Sequence, residues 1–136
     1  MIGIVIVAHF NLAKEMVAAA ELIVGKQKQV GSVDIFPDED VDKIRARLTD
    51  AVSAVDSGDG ILIMTDMFGG TPSNLSLSML NEGKIEVVAG VNLPMVIKLA
   101  TYREEKELKD LAEFITKYGQ SNIYLATDIL NTRKKE

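Results

Sequence analysis

The chain has 136 residues, 47% of them hydrophobic, and a formal net charge of -5, which fits one domain with a substantial core and argues against nucleic acid or anionic lipid as a main partner. Cysteine is absent, so disulfides, thiolate catalysis and cysteine-based metal sites are excluded, and a reducing compartment fits. The apolar opening Met1-Ile2-Gly3-Ile4-Val5-Ile6-Val7-Ala8 is too short for a membrane span and lacks the basic lead of a signal peptide, so a soluble, cytoplasmic protein is expected.

Apolar runs and helical patterns alternate along the chain. Ile2 to Val7 is a nearly continuous β-branched run, the mark of a strand covered on both faces. Leu12, Met16, Ala19, Ala20 and Ile23 then recur at helical spacing, with Asn11 available as a cap and Gly25 as the stop. Val30 to Phe36 reads as a second strand closed by Pro37, and a helix from Asp40 carries Ile44, Leu48, Val52 and Val55 on one face. Gly60 to Thr65 is a third buried strand. A loop with Asp66 and Gly69-Gly70 follows, where Thr71 is placed to cap a helix and Pro72 to open it. Ile85 to Ala89 makes a fourth strand. Pro94 starts a short helix, and Glu104 to Tyr118 forms a longer one ended by Gly119, with Leu108, Leu111, Ala112 and Ile115 inward. Ile123 to Ala126 reads as a short last strand.

Strands alternating with helices imply an α/β fold: a mainly parallel sheet with right-handed crossovers and helices on both faces. One domain is expected over 1–130, with a disordered tail over 131–136.

In such sheets ligands bind beyond the carboxyl ends of the strands. His9, the sole histidine, stands at the end of the first strand, and Asp66 with Gly69-Gly70 at the end of the third. If those strands are neighbours, an imidazole, a carboxylate and free backbone N–H groups converge. A neutral imidazole is a good nucleophile near neutral pH. A carboxylate on one ring nitrogen fixes the tautomer and stabilises the charge that develops on the ring. Glycines permit close approach, and N–H groups at a helix start bind phosphate oxygens. The combination suits phosphoryl transfer, which needs mostly positioning and charge stabilisation. Each piece alone has a plainer use: a structural histidine, an Asx-turn aspartate, turn glycines, an ordinary helix start. A metal site is a poor fit, because one histidine and no cysteine leave only oxygen ligands.

The strand ending in Ala8-His9, followed by Asn11-Leu12-Ala13 and a helix, resembles the start of mannose-family enzyme IIA proteins of the phosphoenolpyruvate-dependent sugar phosphotransferase system. Asp66-Met67-Phe68-Gly69-Gly70-Thr71-Pro72-Ser73-Asn74 resembles that family's Asp-x-x-Gly-Gly-(Ser/Thr)-Pro-x-Asn signature, and Ala89-Gly90-Val91-Asn92-Leu93-Pro94-Met95 a third block. The blocks stand in family order, so the resemblance covers essentially the whole chain. It implies phosphorylation of His9 by HPr and onward transfer to a cognate enzyme IIB, which serves the membrane enzyme IIC/IID complex. It implies a hydrogen bond from Asp66 to the imidazole and a phosphoryl-binding loop of Phe68, Gly69, Gly70 and Thr71, with no metal and no cofactor. A homodimer exchanging a fifth, antiparallel strand is implied too.

Two features depart from the family pattern. Many relatives carry glycine after the histidine where Phe10 stands here, so Phe10 either covers the imidazole or joins a docking surface. Some relatives continue through a linker into a IIB domain, whereas this chain stops after its last strand, so a separate IIB polypeptide is expected. The rival readings are the phosphotransferase subunit of dihydroxyacetone kinase, whose second motif lacks the Gly-Gly-Thr-Pro run, and a regulatory module that only binds proteins.

Overall fold

A computed structural model of the chain describes residues 1–135. Its elements in chain order are β1 (Gly3–His9), α1 (Leu12–Val24), β2 (Val30–Ile35), α2 (Val41–Val55), β3 (Ile61–Thr65), α3 (Thr71–Leu77), β4 (Ile85–Ala89), α4 (Leu93–Tyr102), α5 (Leu108–Ser121) and α6 (Ala126–Lys135). The four strands form one parallel sheet in the order β2-β1-β3-β4, and helices flank both faces, as the alternation of patterns requires.

The continuous apolar run of β1 explains its interior position. Side chains alternate across a strand, so Ile4, Ile6 and Ala8 enter one core with Met95, Leu99, Leu111 and Ile115 of α4 and α5. Val5 and Val7 enter the other, against Ile44, Leu48 and Val52 of α2 and Leu75 of α3. Each large aliphatic side chain so buried contributes roughly 1.5–3 kcal/mol. Helix α2 follows its sequence pattern: Asp40 accepts a hydrogen bond from the Asp42 N–H at the cap, and Ile44, Leu48, Val52 and Val55 are buried.

Other expectations are corrected. Helix α1 buries Ala13 and Ala20 and part-buries Met16 and Val17, while Leu12 and Ile23 stay exposed. Apolar residues nearly encircle this helix, so spacing alone does not choose a face, and the alanines let it approach the sheet closely. Gly119 does not end α5, which continues to Ser121. Its lack of a side chain makes room for Met95, whose Sδ would lie 2.4 Å from a Cβ placed there. The cap of α3 is Gly70, at φ 83°, and Thr71 is its first helical residue.

The strand expected at 123–126 is not formed within the chain. Residues 123–125 lie outside any regular element, and from Ala126 the chain winds into α6, with Asp128 in its first turn. A strand needs a neighbouring edge to satisfy its backbone, and this segment pairs with none here. The tail expected over 131–136 is helical as far as Lys135, and Glu136 lies outside the described residues.

Candidate functional site

The sheet order puts β1 and β3 side by side, with β2 reached in one direction from β1 and β3 in the other. The carboxyl ends of β1 and β3 therefore form the topological switch point, where ligands bind in open parallel sheets. His9 closes β1, and Asp66 follows directly on β3. Thr65 pairs in register with Val7, so the two residues meet although 57 positions separate them.

Asp66 binds His9 twice through one oxygen. Its Oδ2 accepts from the main-chain N–H of His9 at 3.1 Å and lies 2.7 Å from the ring Nδ1. Its Oδ1 accepts from the Met67 N–H at 3.0 Å. A carboxylate offers only acceptors, so the proton sits on Nδ1 and the lone pair on Nε2. Burial alone would raise the Asp66 carboxyl. The hydrogen bonds from the His9 ring and main chain outweigh it and hold the group below the ordinary aspartate range. The carboxylate is nearly covered, its side chain 11% exposed, whereas that of His9 is 45% exposed.

Gly70 packs against the other side of the ring. A Cβ on it would stand 3.4 Å from Cε1 and 3.5 Å from Nε2. Gly69 and Gly70 hold φ values of 90° and 83°, a conformation that favours glycine. Among the described residues, the N–H groups of Phe68, Gly69, Gly70 and Thr71 donate to no protein acceptor. Phe68 and Thr71 are exposed. The structure thus brings the Asp66 carboxylate and Gly70 to the His9 ring, with Phe68, Gly69 and Thr71 beside Gly70 along the same loop. The segment Ala89–Met95 supports this end of the sheet from behind. The N–H groups of Gly90 and Val91 both donate to the Thr65 carbonyl at 2.9 Å. Asn92 caps α4 and donates to the Gly119 carbonyl at 3.0 Å.

A cavity of about 540 Å³ opens beside Met1, Asp59, Arg103 and Lys106. Arg103 and Met1 lie at the amino end of the sheet, so that space has no part in the His9 chemistry. No cluster of three or more acidic or histidine side chains suited to a metal occurs among the described residues. No helix among them is long and apolar enough to cross a membrane.

The profile of the EIIA-man family, described as PTS system fructose IIA component, matches residues 3–116. The chain belongs to this family. The mannose-specific EIIAB component of Escherichia coli (strain K12) is 31% identical over 105 residues, 76% of this chain and 32% of that protein, so the chain spans about a third of that relative's length. The sorbose-specific EIIA component of Lacticaseibacillus casei is 29% identical over 136 residues, 98% of this chain and 96% of that protein. The crystal structure of phosphotransferase system component EIIA from Streptococcus agalactiae superposes with a TM-score of 0.84 at 29% identity, covering 94% of this chain and 99% of that one. The EIIA-man match spans the strands and loops that carry His9, Asp66 and the glycine pair. Sequence reasoning missed Phe36 beside this site. Its only signal was a large aromatic residue at a strand's carboxyl end.

Proposed function

We propose that His9 accepts a phosphoryl group from phospho-HPr and passes it to a cognate enzyme IIB, which serves the membrane enzyme IIC/IID complex. The observation that carries this reading is the 2.7 Å contact between His9 Nδ1 and Asp66 Oδ2, which leaves the Nε2 lone pair available beside Gly70. Nε2 attacks phosphorus, the nitrogen–phosphorus bond of the donor's phosphohistidine breaks, and its electron pair returns to the donor imidazole. Asp66 keeps the Nδ1 proton in a hydrogen bond and offsets the positive charge that grows on the ring. The unused N–H groups of Phe68, Gly69, Gly70 and Thr71 supply donors for the phosphoryl oxygens.

After incubation with phosphoenolpyruvate, enzyme I and HPr, the intact chain should gain the mass of one phosphoryl group, labile to acid and stable to alkali. His9→Ala should gain none. Equal labelling of the variant would return His9 to a structural role.

The same reading includes a homodimer. Ile123, Tyr124 and Leu125 are all well exposed, and β4 is an edge strand. A groove of about 380 Å³, lined by Val87, Val88, Ala112 and Thr116, runs beside that edge. Addition of the 122–127 segment of a second copy to β4 would cover both. Deletion from Ile123 onward should convert a sedimenting dimer into monomers or aggregates. A full-length chain that sediments as a monomer while accepting phosphoryl groups fully would remove the dimer from this reading.

A further inference from the structure

We propose that the cavity at the amino end of the sheet binds a small phosphate monoester whose body carries hydroxyl groups. The site is independent of His9. The space, about 540 Å³, lies within the range of pockets that hold small molecules. Two sources of positive potential, a side chain and a helix end, meet in its wall. Arg103 lines the cavity although the residue is 2% exposed. The carbonyls of Ile2, Lys28 and Gln29 fix its guanidinium through four hydrogen bonds, which leaves one N–H on Nη1 without a protein acceptor. Carbonyls accept hydrogen bonds but carry no net charge. Among the described residues, no carboxylate lies within ion-pairing distance of Arg103. A charge buried this deeply is normally paired.

The helix end is the start of α5. Its N-cap, Glu107, makes no side-chain capping hydrogen bond. The N–H groups of Leu108, Lys109 and Asp110 donate to no protein acceptor among the described residues. Glu107, Leu108 and Lys109 line the same cavity as Arg103. Free N–H groups and the helix dipole favour an anion at such a place, and phosphate matches both. Lys106 and Lys109 add two ammonium groups to the wall. Alone, an uncapped helix start is served by water and a buried arginine is a structural tie. Together they set donors and an unneutralised charge around one space.

The acidic side chains of the wall narrow the class of ligand. Asp59 is engaged by the Met1 ammonium, and Glu104 and Glu107, both exposed, line the cavity as well. These carboxylates repel a ligand that is anionic all round, and they accept hydrogen bonds from hydroxyl groups. The wall therefore suits one phosphate on a polyhydroxylated body, the chemistry of a sugar phosphate. The phosphate would lie toward Arg103 and the start of α5, with the hydroxyl groups toward the carboxylates.

The test titrates the full, unphosphorylated chain with glucose 6-phosphate, inorganic phosphate and glucose, followed by calorimetry and by amide chemical shifts. Glucose 6-phosphate should bind saturably with a Kd of roughly 1 mM or below, with the largest shifts at Leu108, Lys109 and Asp110. Inorganic phosphate should bind at least about fivefold more weakly, and glucose should not bind. Arg103→Met would loosen the sheet as well as remove the charge, so the lysines carry the test. Lys106→Ala combined with Lys109→Ala should weaken glucose 6-phosphate binding about tenfold. The same variant should keep its melting temperature within about 2 °C and accept phosphoryl groups on His9 at the parent rate. No saturation by about 10 mM glucose 6-phosphate overturns the proposal. Equal affinity for inorganic phosphate or for glucose overturns it too, because the body or the phosphate then goes unread. Undiminished binding by the double variant does the same. Shifts confined to Phe68–Thr71 would put the phosphate at the His9 end and equally contradict it.

Discussion

The two ends of the sheet are built on opposite plans. At the amino end Arg103 is 2% exposed and spends its guanidinium on main-chain carbonyls. Nε and Nη2 donate to Ile2 at 3.0 and 2.5 Å, Nη1 to Lys28 at 2.7 Å, and Nη2 to Gln29 at 2.9 Å. Burial lowers its pKa, with Glu104 opposing, yet an arginine remains charged. At the carboxyl end a ring nitrogen and a run of main-chain N–H groups have no partner among the described residues, Phe10 holds a positive φ, and aromatic rings face solvent. Groups satisfied inside the chain hold it together. Groups left over at the other end are available to something else.

Substitutions at each end sharpen this contrast. Arg103→Met should cost the most stability, about 1–3 kcal/mol, because the buried Ile2 carbonyl loses its donor and an unsatisfied buried group costs about that much, whereas the Gln29 carbonyl keeps the Ile4 N–H. Urea unfolding measures it, and a loss below about 1 kcal/mol would break the comparison. Asp66→Asn should invert the pattern, slowing transfer from phospho-HPr by roughly 10²–10⁴-fold while phosphorylation of His9 survives. Rapid-quench kinetics decides, and an unchanged rate would make Asp66 a turn residue only.

Gly70→Ala should be smaller on both scales. Its positive φ costs about 1 kcal/mol for alanine, and the methyl would stand against Nε2, so labelling should slow while the melting temperature falls by only a few degrees. The smallest effect is the acid dependence of the Asp66 contribution. Its folded carboxyl lies below the ordinary value, so the stability it lends is present above about pH 4. That stability fades as pH falls through the folded value. The stability gap between the parent and Asp66→Asn should therefore close on acidification below about pH 4, as equilibrium denaturation at a series of pH values would show.

Local patterns made much of the fold legible. β1 needed apolar side chains on both faces, and α2 declared its cap and its stripe. The meeting of His9 and Asp66 was legible only on the condition that β1 and β3 are neighbours, because strand order is a property of the whole sheet. Arg103 left no trace in the pattern, since a charged residue at a helix end usually reads as solvated. Gly119 read as a stop because its packing partner, Met95, lies on another helix. Residues 123–126 read as a strand because β-propensity is local, whereas within the chain this segment pairs with neither edge of the sheet. The left-handed Phe10 was invisible for a similar reason: nothing in the residue types around it demands a positive φ.

The Arg103 tie also bears on how the chain is made. It joins the main chain at Ile2 to a side chain 101 positions later. As synthesis proceeds at roughly 5–20 residues per second, the first strand emerges with both faces apolar and its amino-end carbonyls unclaimed. β3 reaches its flank only after α2 is complete, and the guanidinium arrives after α4. Until about three-quarters of the polypeptide has left the ribosome, the central strand lacks α4 over one face and the guanidinium on its amino-end carbonyl. The nascent chain is therefore most open to mispairing at a strand that the finished protein buries on both faces.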